Sequence, residues 1–178
     1  MTIRTATDAD AALLADLGAR TFRGAFAADN DPADLALYIA EAFTPERLAA
    51  ELADPVSTFF VALDAAGAPV GYARLVADVP HAAVPGTRVA EIERIYADQS
   101  VLGQGVGAAL MQASLDAATG HDAVWLGVWE RNPRAIRFYE RWGFETVGDK
   151  TFTVGTDVQR DVVMARRLPG DPAPISGR

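Results

Sequence analysis

The chain has 178 residues, half of them hydrophobic and 22% charged, which predicts a single domain of ordinary globular composition. Its net charge of −8 disfavours nucleic-acid binding, and the lack of cysteine excludes disulfides, thiolate metal sites and a cysteine nucleophile. His81 and His121 are the two histidines, and no carboxylates are spaced to complete a metal site with them. The first residues lack the apolar segment of a signal peptide, and no apolar run approaches the ~18 residues that span a bilayer. We therefore expect a cytoplasmic protein with neither a membrane nor a nucleic-acid partner.

Strands and helices alternate along the predicted chain. In order, the predictions are a strand at 2–5, a helix capped by Thr7 or Asp8, helices at 31–42 and 44–52, paired strands at 58–63 and 70–77, a strand at 89–97, a helix at 105–118, a strand at 124–129, a helix at 133–142, and paired strands at 145–154 and 158–168. The unit from 89 to 129 is a right-handed parallel crossover. Flanking hairpins make the sheet mixed, so we predict an α+β (mixed α/β) fold in one domain, 1–168, followed by a disordered tail, 169–178, rich in Pro and Gly.

A glycine-rich turn joins the strand at 89–97 to its following helix. Gly103, Gly105 and Gly107 alternate there, and glycines let a ligand approach the unpaired N–H groups at a helix N-terminus. A tight turn with no ligand is one interpretation. The spacing is neither the Gly-x-Gly-x-x-Gly of dinucleotide-binding folds nor the Gly-Lys-Ser/Thr of a nucleotide P-loop. The remaining interpretation is a pyrophosphate bound by a shorter turn.

A second motif follows the strand at 124–129. Asn132 is a good N-cap, Pro133 a good first helical residue, and Gly143 suits the left-handed position after the last turn. The full pattern reads Asn-x-x-Ala-x-x-Phe-Tyr-x-x-x-Gly-Phe from Asn132 to Phe144.

Taken together, the two motifs resemble those of the GNAT superfamily of acetyl-CoA-dependent N-acetyltransferases. The first family motif, Arg/Gln-x-x-Gly-x-Gly/Ala, falls on residues 102–107, with Leu102 in place of Arg or Gln. The resemblance implies a central sheet of six or seven strands with helices on both faces, a βαβ coenzyme-binding core, acetyl-CoA as cosubstrate and, in some relatives, a homodimer. The sequences at 91–96, 125–130 and 155–161 are similar to the PaiA-like spermidine/spermine N-acetyltransferase branch, which implies a polyamine acceptor.

The resemblance also implies which residues bind the coenzyme. Backbone groups of the first crossover strand hold its pantetheine arm, the glycine turn holds its pyrophosphate, and the second motif contacts the rest. The implied residues are Ile95, Tyr96, Ala97, Leu102, Gly103, Gln104, Gly105, Val106, Gly107, Ala108, Asn132, Arg134, Tyr139 and Arg141.

Amine acetylation requires proton transfer at two places. An alkyl amine with a pKa near ~10.4 is neutral in only about one molecule in 2,500 at pH 7, and a thiolate leaves more readily when it is protonated. We predict Tyr139 as the acid toward the sulfur and Glu91 or Glu93 as the group that collects the proton of the amine. Because side chains alternate along a strand, both glutamates are expected on the face of Ile95. The alternative for these glutamates is an ion pair with Arg94 or Arg74.

The predicted function is acetyl transfer from acetyl-CoA to a primary amine, by direct attack in a ternary complex. The acceptor is a small amine, a polyamine among them, or a peptide amine. Two alternatives stay open at this stage: a non-catalytic coenzyme sensor of the same fold, and a nicotinamide oxidoreductase that rests on the glycine turn alone.

Overall fold

A computed structural model describes residues 1–169, in which seven strands form one sheet. The elements, in chain order, are β1 (Thr2–Thr5), α1 (Ala11–Phe26), α2 (Pro32–Ala42), α3 (Pro45–Ala53), β2 (Ser57–Leu63), β3 (Pro69–Val76), β4 (Val89–Ala97), α4 (Val106–Ala117), β5 (Ala123–Trp129), α5 (Pro133–Arg141), β6 (Glu145–Val154) and β7 (Asp157–Arg167). The sheet order is β1-β2-β3-β4-β5-β7-β6, with β4 and β5 parallel and the other neighbours antiparallel. The predicted mixed α+β fold is confirmed.

The predicted elements are all present, and most of their ends agree to within one or two residues. The start of α1 is an exception, because Asp8–Asp10 forms a 3-10 turn before the helix begins at Ala11. Asp10 stabilises that turn by accepting a hydrogen bond from the Thr7 backbone N–H at 2.8 Å and by pairing with Arg4 at 2.7 Å. The predicted tail lies, from residue 170 onward, outside the described residues.

Three of the helices begin with the same local arrangement. The side chains of Asp31, Thr44 and Asn132 each accept a backbone N–H bond from the first turn, at 2.8, 3.2 and 3.0 Å. A proline follows each of these caps, where its missing N–H costs nothing. The starts of α2, α3 and α5 therefore follow from local sequence.

The two faces of the sheet carry different layers. On one face, which we call the α1–α3 face, α1 packs on β3 and α3 on β2 around Leu14, Phe22 and Phe59, while α2 packs against α1 and β6. On the other, the α4 face, α4 and α5 pack on β4, β5 and β7 around Met111 and Leu126. The crossover helix and the second motif therefore share one face of the molecule.

Strands β4 and β5 pair over a short distance and then separate. Val89, Ala90 and Glu91 pair with 123–125, after which β4 continues to Ala97 and β5 to Trp129 without pairing to each other. The gap lies in the middle of the sheet, between the two strands of the crossover. Beyond Glu91 and Trp125, the facing backbone edges of β4 and β5 are therefore not paired with each other.

A β-bulge in β4 changes which residues share a face. Ile92 pairs with Leu75 and Arg94 with Arg74, which leaves Glu93 as the extra residue. Ile95 packs on the α4 face, whereas Arg94 contacts the α3 residue Glu51 on the opposite face. The prediction that Glu91 and Glu93 share the face of Ile95 is therefore wrong, because the bulge interrupts the alternation on which it relied.

Candidate active site

The glycine turn has a backbone that requires glycine at two positions. Gly103 and Gly105 have φ values of +80° and +88°, in the left-handed region, and Gly105 is the N-cap of α4. A Cβ built on either residue would meet no heavy atom within 4 Å. The turn therefore faces open space, and it is the backbone geometry that demands glycine there.

The N-terminus of α4 presents a row of backbone donors to that space. Ala109 is the first residue of α4 whose N–H bonds back along the helix, to the Gly105 carbonyl at 3.0 Å. Within residues 1–169, the N–H groups of 105–108 have no acceptor. Four free donors at the positive end of a helix dipole suit a diphosphate. The donor set therefore fits the pyrophosphate of coenzyme A.

The side chains in this turn contribute less than its backbone. Gln104 is exposed and donates its amide to the Ser100 carbonyl at 3.0 Å, which ties it to its own loop. Leu102, at the position where Arg or Gln is usual, is half-buried. The anion-binding capacity of the loop is thus carried by backbone N–H groups.

The end of β4 borders the gap in the sheet. Ile95, Tyr96 and Ala97 pair with β3 along one edge, while their other edge faces the gap, where β5 no longer pairs. Backbone groups on such an edge can bond an extended amide-containing chain. The pantetheine arm of coenzyme A is an extended chain with amide groups of this kind.

Helix α5 lies beside the glycine turn. The ring of Phe138 is 3.7 Å from the position of a Cβ on Gly107. Next to it, Tyr139 is 8% exposed, and its hydroxyl makes no hydrogen bond within residues 1–169. Burial raises the pKa of Tyr139 well above its ordinary value of 10, so the phenol keeps its proton at neutral pH.

The remaining predicted residues of α5 divide into a cap and two exposed arginines. Asn132 uses its side-chain oxygen to cap the helix. Arg134 and Arg141 are exposed, and neither forms an ion pair within residues 1–169. Both guanidinium groups are available to an anionic ligand on the α4 side of the molecule.

The two candidate glutamates of β4 have different partners. Glu91 is paired with the Lys150 ammonium of β6 at 3.1 Å, and burial raises the pKa of Glu91, with Lys150 opposing the shift. Glu93 is more exposed and pairs with Arg74 at 2.5 Å. The alternative role for these glutamates, an ion pair with Arg74 or Arg94, is therefore observed for Glu93.

Sequence reasoning missed a third carboxylate, Asp161 of β7. Asp161 is paired in register with Lys150 and with Trp129 and is 7% exposed, and burial raises its pKa to about 6, with Lys150 opposing the shift. The sequence contained a signal for it, because side chains two residues apart on a strand lie on the same face. Asp161 therefore shares a face with Val163 and Ala165, which are core residues.

Two further properties concern the described part of the chain. Within residues 1–169, no cluster of three His, Asp or Glu side chains could hold a metal ion. In the same residues, no helix has both the length and the hydropathy needed to cross a membrane.

Comparison with known proteins identifies the family. The Acetyltransferase (GNAT) family matches residues 21–144, and the chain belongs to that family. It is 36% identical over 164 residues to an uncharacterized N-acetyltransferase of Mycobacterium tuberculosis, covering 91% of this chain and 99% of the relative. It is 32% identical over 150 residues to an uncharacterized N-acetyltransferase of Lactobacillus delbrueckii subsp. lactis, covering 83% and 86% of the two chains.

Solved structures share the fold at lower identity. The PaiA N-acetyltransferase of Thermoplasma acidophilum in complex with coenzyme A matches with a TM-score of 0.73 at 18% identity, covering 94% of this chain and 100% of that one. The putative acetyltransferase yncA of Salmonella typhimurium with acetyl-CoA matches with a TM-score of 0.72 at 20% identity, covering 99% of both chains. The protein is thus an N-acetyltransferase of the GNAT type that uses acetyl-CoA as its cosubstrate.

Proposed function

We propose that this enzyme transfers the acetyl group directly to the primary amine of a small cationic acceptor, without an acyl-enzyme stage. The supporting observation is the gap between β4 and β5, which has the Tyr139 phenol on the α4 face and the Glu91 carboxylate on the α1–α3 face. A coenzyme and an amine that enter from opposite faces would meet in that gap. The chain also lacks a cysteine to carry an acyl group.

The coenzyme-holding roles are assigned to backbone groups and to α5. The N–H groups of 105–108 would bind the pyrophosphate, and the free edge of β4 at 95–97 would bond the pantetheine arm. Arg134 and Arg141 are candidates for the 3′-phosphate. Acetyl-CoA supplies an acetyl group activated as a thioester, so that a carbon–nitrogen bond forms while the carbon–sulfur bond breaks.

Tyr139 is assigned as the acid toward the departing sulfur. Its hydroxyl has no hydrogen-bond partner within residues 1–169, and its raised pKa keeps the proton on the oxygen at neutral pH. A phenol in that form can donate a hydrogen bond to the sulfur and pass its proton on as negative charge develops there. Tyr139 would therefore protonate the sulfur as the carbon–sulfur bond breaks.

Glu91 is assigned as the acceptor of the amine proton. Glu91 lies on the α1–α3 face at the point where β4 and β5 separate, and Lys150 favours its ionised form. Glu93 is the less suitable candidate, because Arg74 holds its carboxylate and Arg94 lies 3.9 Å from it. A bridging water would carry the proton from the acceptor nitrogen to Glu91.

A polyamine such as spermidine is our first choice of acceptor. The sequence resemblance to the PaiA-like branch favours it, and the net charge of −8 attracts polycations. A peptide amine is the competing outcome. A homodimer, implied by the family resemblance, stays a prediction that light scattering would test.

The proposal is tested by a thiol-release assay with spermidine, simple alkyl amines and peptide amines, with acetylated products identified by mass spectrometry. We expect thiol release matched by one acetylated amine. Tyr139→Phe should lower kcat about 100-fold or more and change the Kd for acetyl-CoA less than twofold, because the hydroxyl acts on the leaving group. Tyr72→Phe is the matched control, since it removes a second buried tyrosine hydroxyl without a partner and keeps the ring that packs on Tyr96.

One result would contradict the proposed transfer, and another would contradict only the role of Tyr139. Binding of acetyl-CoA without thiol release for any amine would indicate a coenzyme sensor. An unchanged kcat in Tyr139→Phe would remove the assigned role of that residue while leaving the amine transfer itself intact.

A further inference from the structure

Asp161 is a largely buried residue whose carboxylate lacks a partner among the described residues. It is 7% exposed, forms no ion pair within 4.0 Å and makes no side-chain hydrogen bond within residues 1–169. Carboxylates in residues this little exposed are uncommon in proteins unless a cation or several donors compensate them. The site of Asp161 therefore has an unmet demand for positive charge.

The neighbouring cation is committed to another carboxylate. Lys150 reaches from β6 across the sheet and places its ammonium 3.1 Å from Glu91 of β4, above the Trp125 ring at 4.8 Å. The single positive charge of Lys150 faces two carboxylates, Glu91 and Asp161, so one negative charge is not neutralised. That charge lies at Asp161, because Lys150 is not within ion-pair distance of it.

The bare backbone of Gly127 makes this arrangement possible. A Cβ on Gly127 would lie 2.5 Å from Cε of Lys150 and 3.2 Å from Oδ2 of Asp161. Gly127 is two residues past Trp125, the last β5 residue that pairs with β4. Asp161 therefore lies at the gap in the sheet, on the face opposite α4.

Aromatic rings accompany the carboxylate. Trp129 is the register partner of Asp161, its ring is 6.1 Å from that of Phe26, and Phe26 is 6.2 Å from the ring of Tyr96. A desolvated carboxylate beside aromatic faces is suited to an alkylammonium group, which binds both. A neutral or anionic acceptor would gain neither interaction.

We propose that Asp161 selects the acceptor, by binding the ammonium group of a cationic amine at the gap between β4 and β5. This inference rests on the proposed function. The bound ammonium supplies the missing countercharge, and Glu91 then takes the proton that must leave before the nitrogen can attack. Asp161 is thus a substrate-binding residue. Lys150 pairs with Glu91 and leaves the negative charge of Asp161 for the substrate.

The test compares Asp161→Asn with the wild type on two kinds of acceptor. Spermidine, or the best alkyl amine of the panel, is cationic at pH 7.5, whereas aniline is neutral. We expect KM for the alkyl amine to rise tenfold or more, and KM for aniline and the Kd for acetyl-CoA to change less than twofold. Asp149→Asn, an exposed β6 residue that bonds Arg160, is the matched control.

A pH series gives a second readout that does not depend on aniline being accepted. An alkyl amine keeps its charge between pH 5 and 8, so its KM should fall as Asp161 ionises with its pKa of about 6. Glu91 and Lys150 are the other charged groups at this site, and both are kept in Asp161→Asn. In Asp161→Asn, the change in KM near pH 6 should disappear. Any change in KM that is caused by titration of Glu91 should remain.

The outcomes separate the inference from the function on which it rests. If the wild type releases no thiol with any amine, the proposed function fails and the inference fails with it. If the wild type is active and Asp161→Asn raises KM equally for alkyl amine and aniline, or retains the change near pH 6, the inference alone is overturned.

Discussion

Glu91 and Glu93 show how two like residues on one strand acquire different chemistry. Glu93 is the extra residue of the β4 bulge and is held by Arg74. Glu91 is more deeply buried and is paired with a lysine that arrives from β6. Burial and Lys150 act in opposite directions on Glu91, and its pKa is raised on balance. A carboxylate with a raised pKa holds the proton of the amine more readily, whereas the carboxylate of Glu93 is occupied by Arg74.

Glu91→Gln should lower kcat about 100-fold and abolish the acid limb of the kcat–pH profile. Glu91 accepts a proton only when it is ionised, so wild-type kcat should fall as pH drops through its pKa, which lies above the ordinary 4.5. Asp161 and Lys150 face the same region and are retained in the variant. Glu145→Gln, an exposed β6 change, should leave the profile unaltered. An acid limb that survives in Glu91→Gln would exclude Glu91 as the proton acceptor.

In our proposal, the glycine turn and α4 act as one element in anion binding. The turn needs φ values that only glycine adopts freely. With this backbone path, the first four N–H groups of the helix face open space. Leu102 supplies no polar side chain, and Gln104 is bound to its own loop. Coenzyme affinity should therefore depend on the backbone path of the turn more than on its side chains.

Gly105→Ala should weaken acetyl-CoA binding tenfold or more, as measured by titration calorimetry. An alanine at a φ of +88° is strained by about 1–2 kcal/mol, and relief of that strain would shift the first N–H groups of α4. Gly67→Ala is the matched control, because Gly67 also has a positive φ, +83°, and also faces open space, but lies in the β2–β3 turn. Both variants should lose similar stability. Equal coenzyme affinities in the two variants would contradict backbone binding by this turn.

At the scale of the whole molecule, a charged network joins the helical layer to the sheet. Glu51 of α3 bonds Arg94 at 2.5 and 3.0 Å and Arg74 at 3.2 Å, and Glu93 completes the group. Both arginines are at least nine-tenths buried. The network connects α3 to β3 and β4, so it fixes the layer that covers one side of the gap.

Glu51→Gln should lower the free energy of unfolding by about 2–4 kcal/mol at pH 7, measured by urea denaturation, because it leaves two buried guanidinium groups with one carboxylate. Burial raises the pKa of Glu51, but Arg94 and Arg74 outweigh it, so that the pKa is lowered in the folded state. Its charge therefore contributes stability above the unfolded value of about 4.5, and that contribution is lost as pH falls through the lower folded value. The difference between variant and wild type should accordingly shrink in acid. Glu46→Gln, exposed on the same helix, should change stability little, and an equal loss there would refute the network.

Local sequence determined the elements, the two motifs and the family. Caps such as Asp31 and Asn132, hydrophobic periodicity and positive-φ glycines act within a few residues, so their consequences can be predicted from the chain. The same holds for the donors of the glycine turn, which need only a strand before it and a helix after it. The single-domain boundaries and the roles of the site residues stay predictions.

The arrangement of charges at the gap was decided by tertiary structure alone. The bulge at Glu93 depends on the pairing of β4 with β3, and the Lys150–Glu91 contact joins residues 59 positions apart. Asp161 becomes a site residue only because β7 lies next to β5, where Gly127 leaves room for two side chains. Register and long-range contact follow from the packing of the whole sheet, and burial, which sets the pKa of each carboxylate, exists only once that packing is complete.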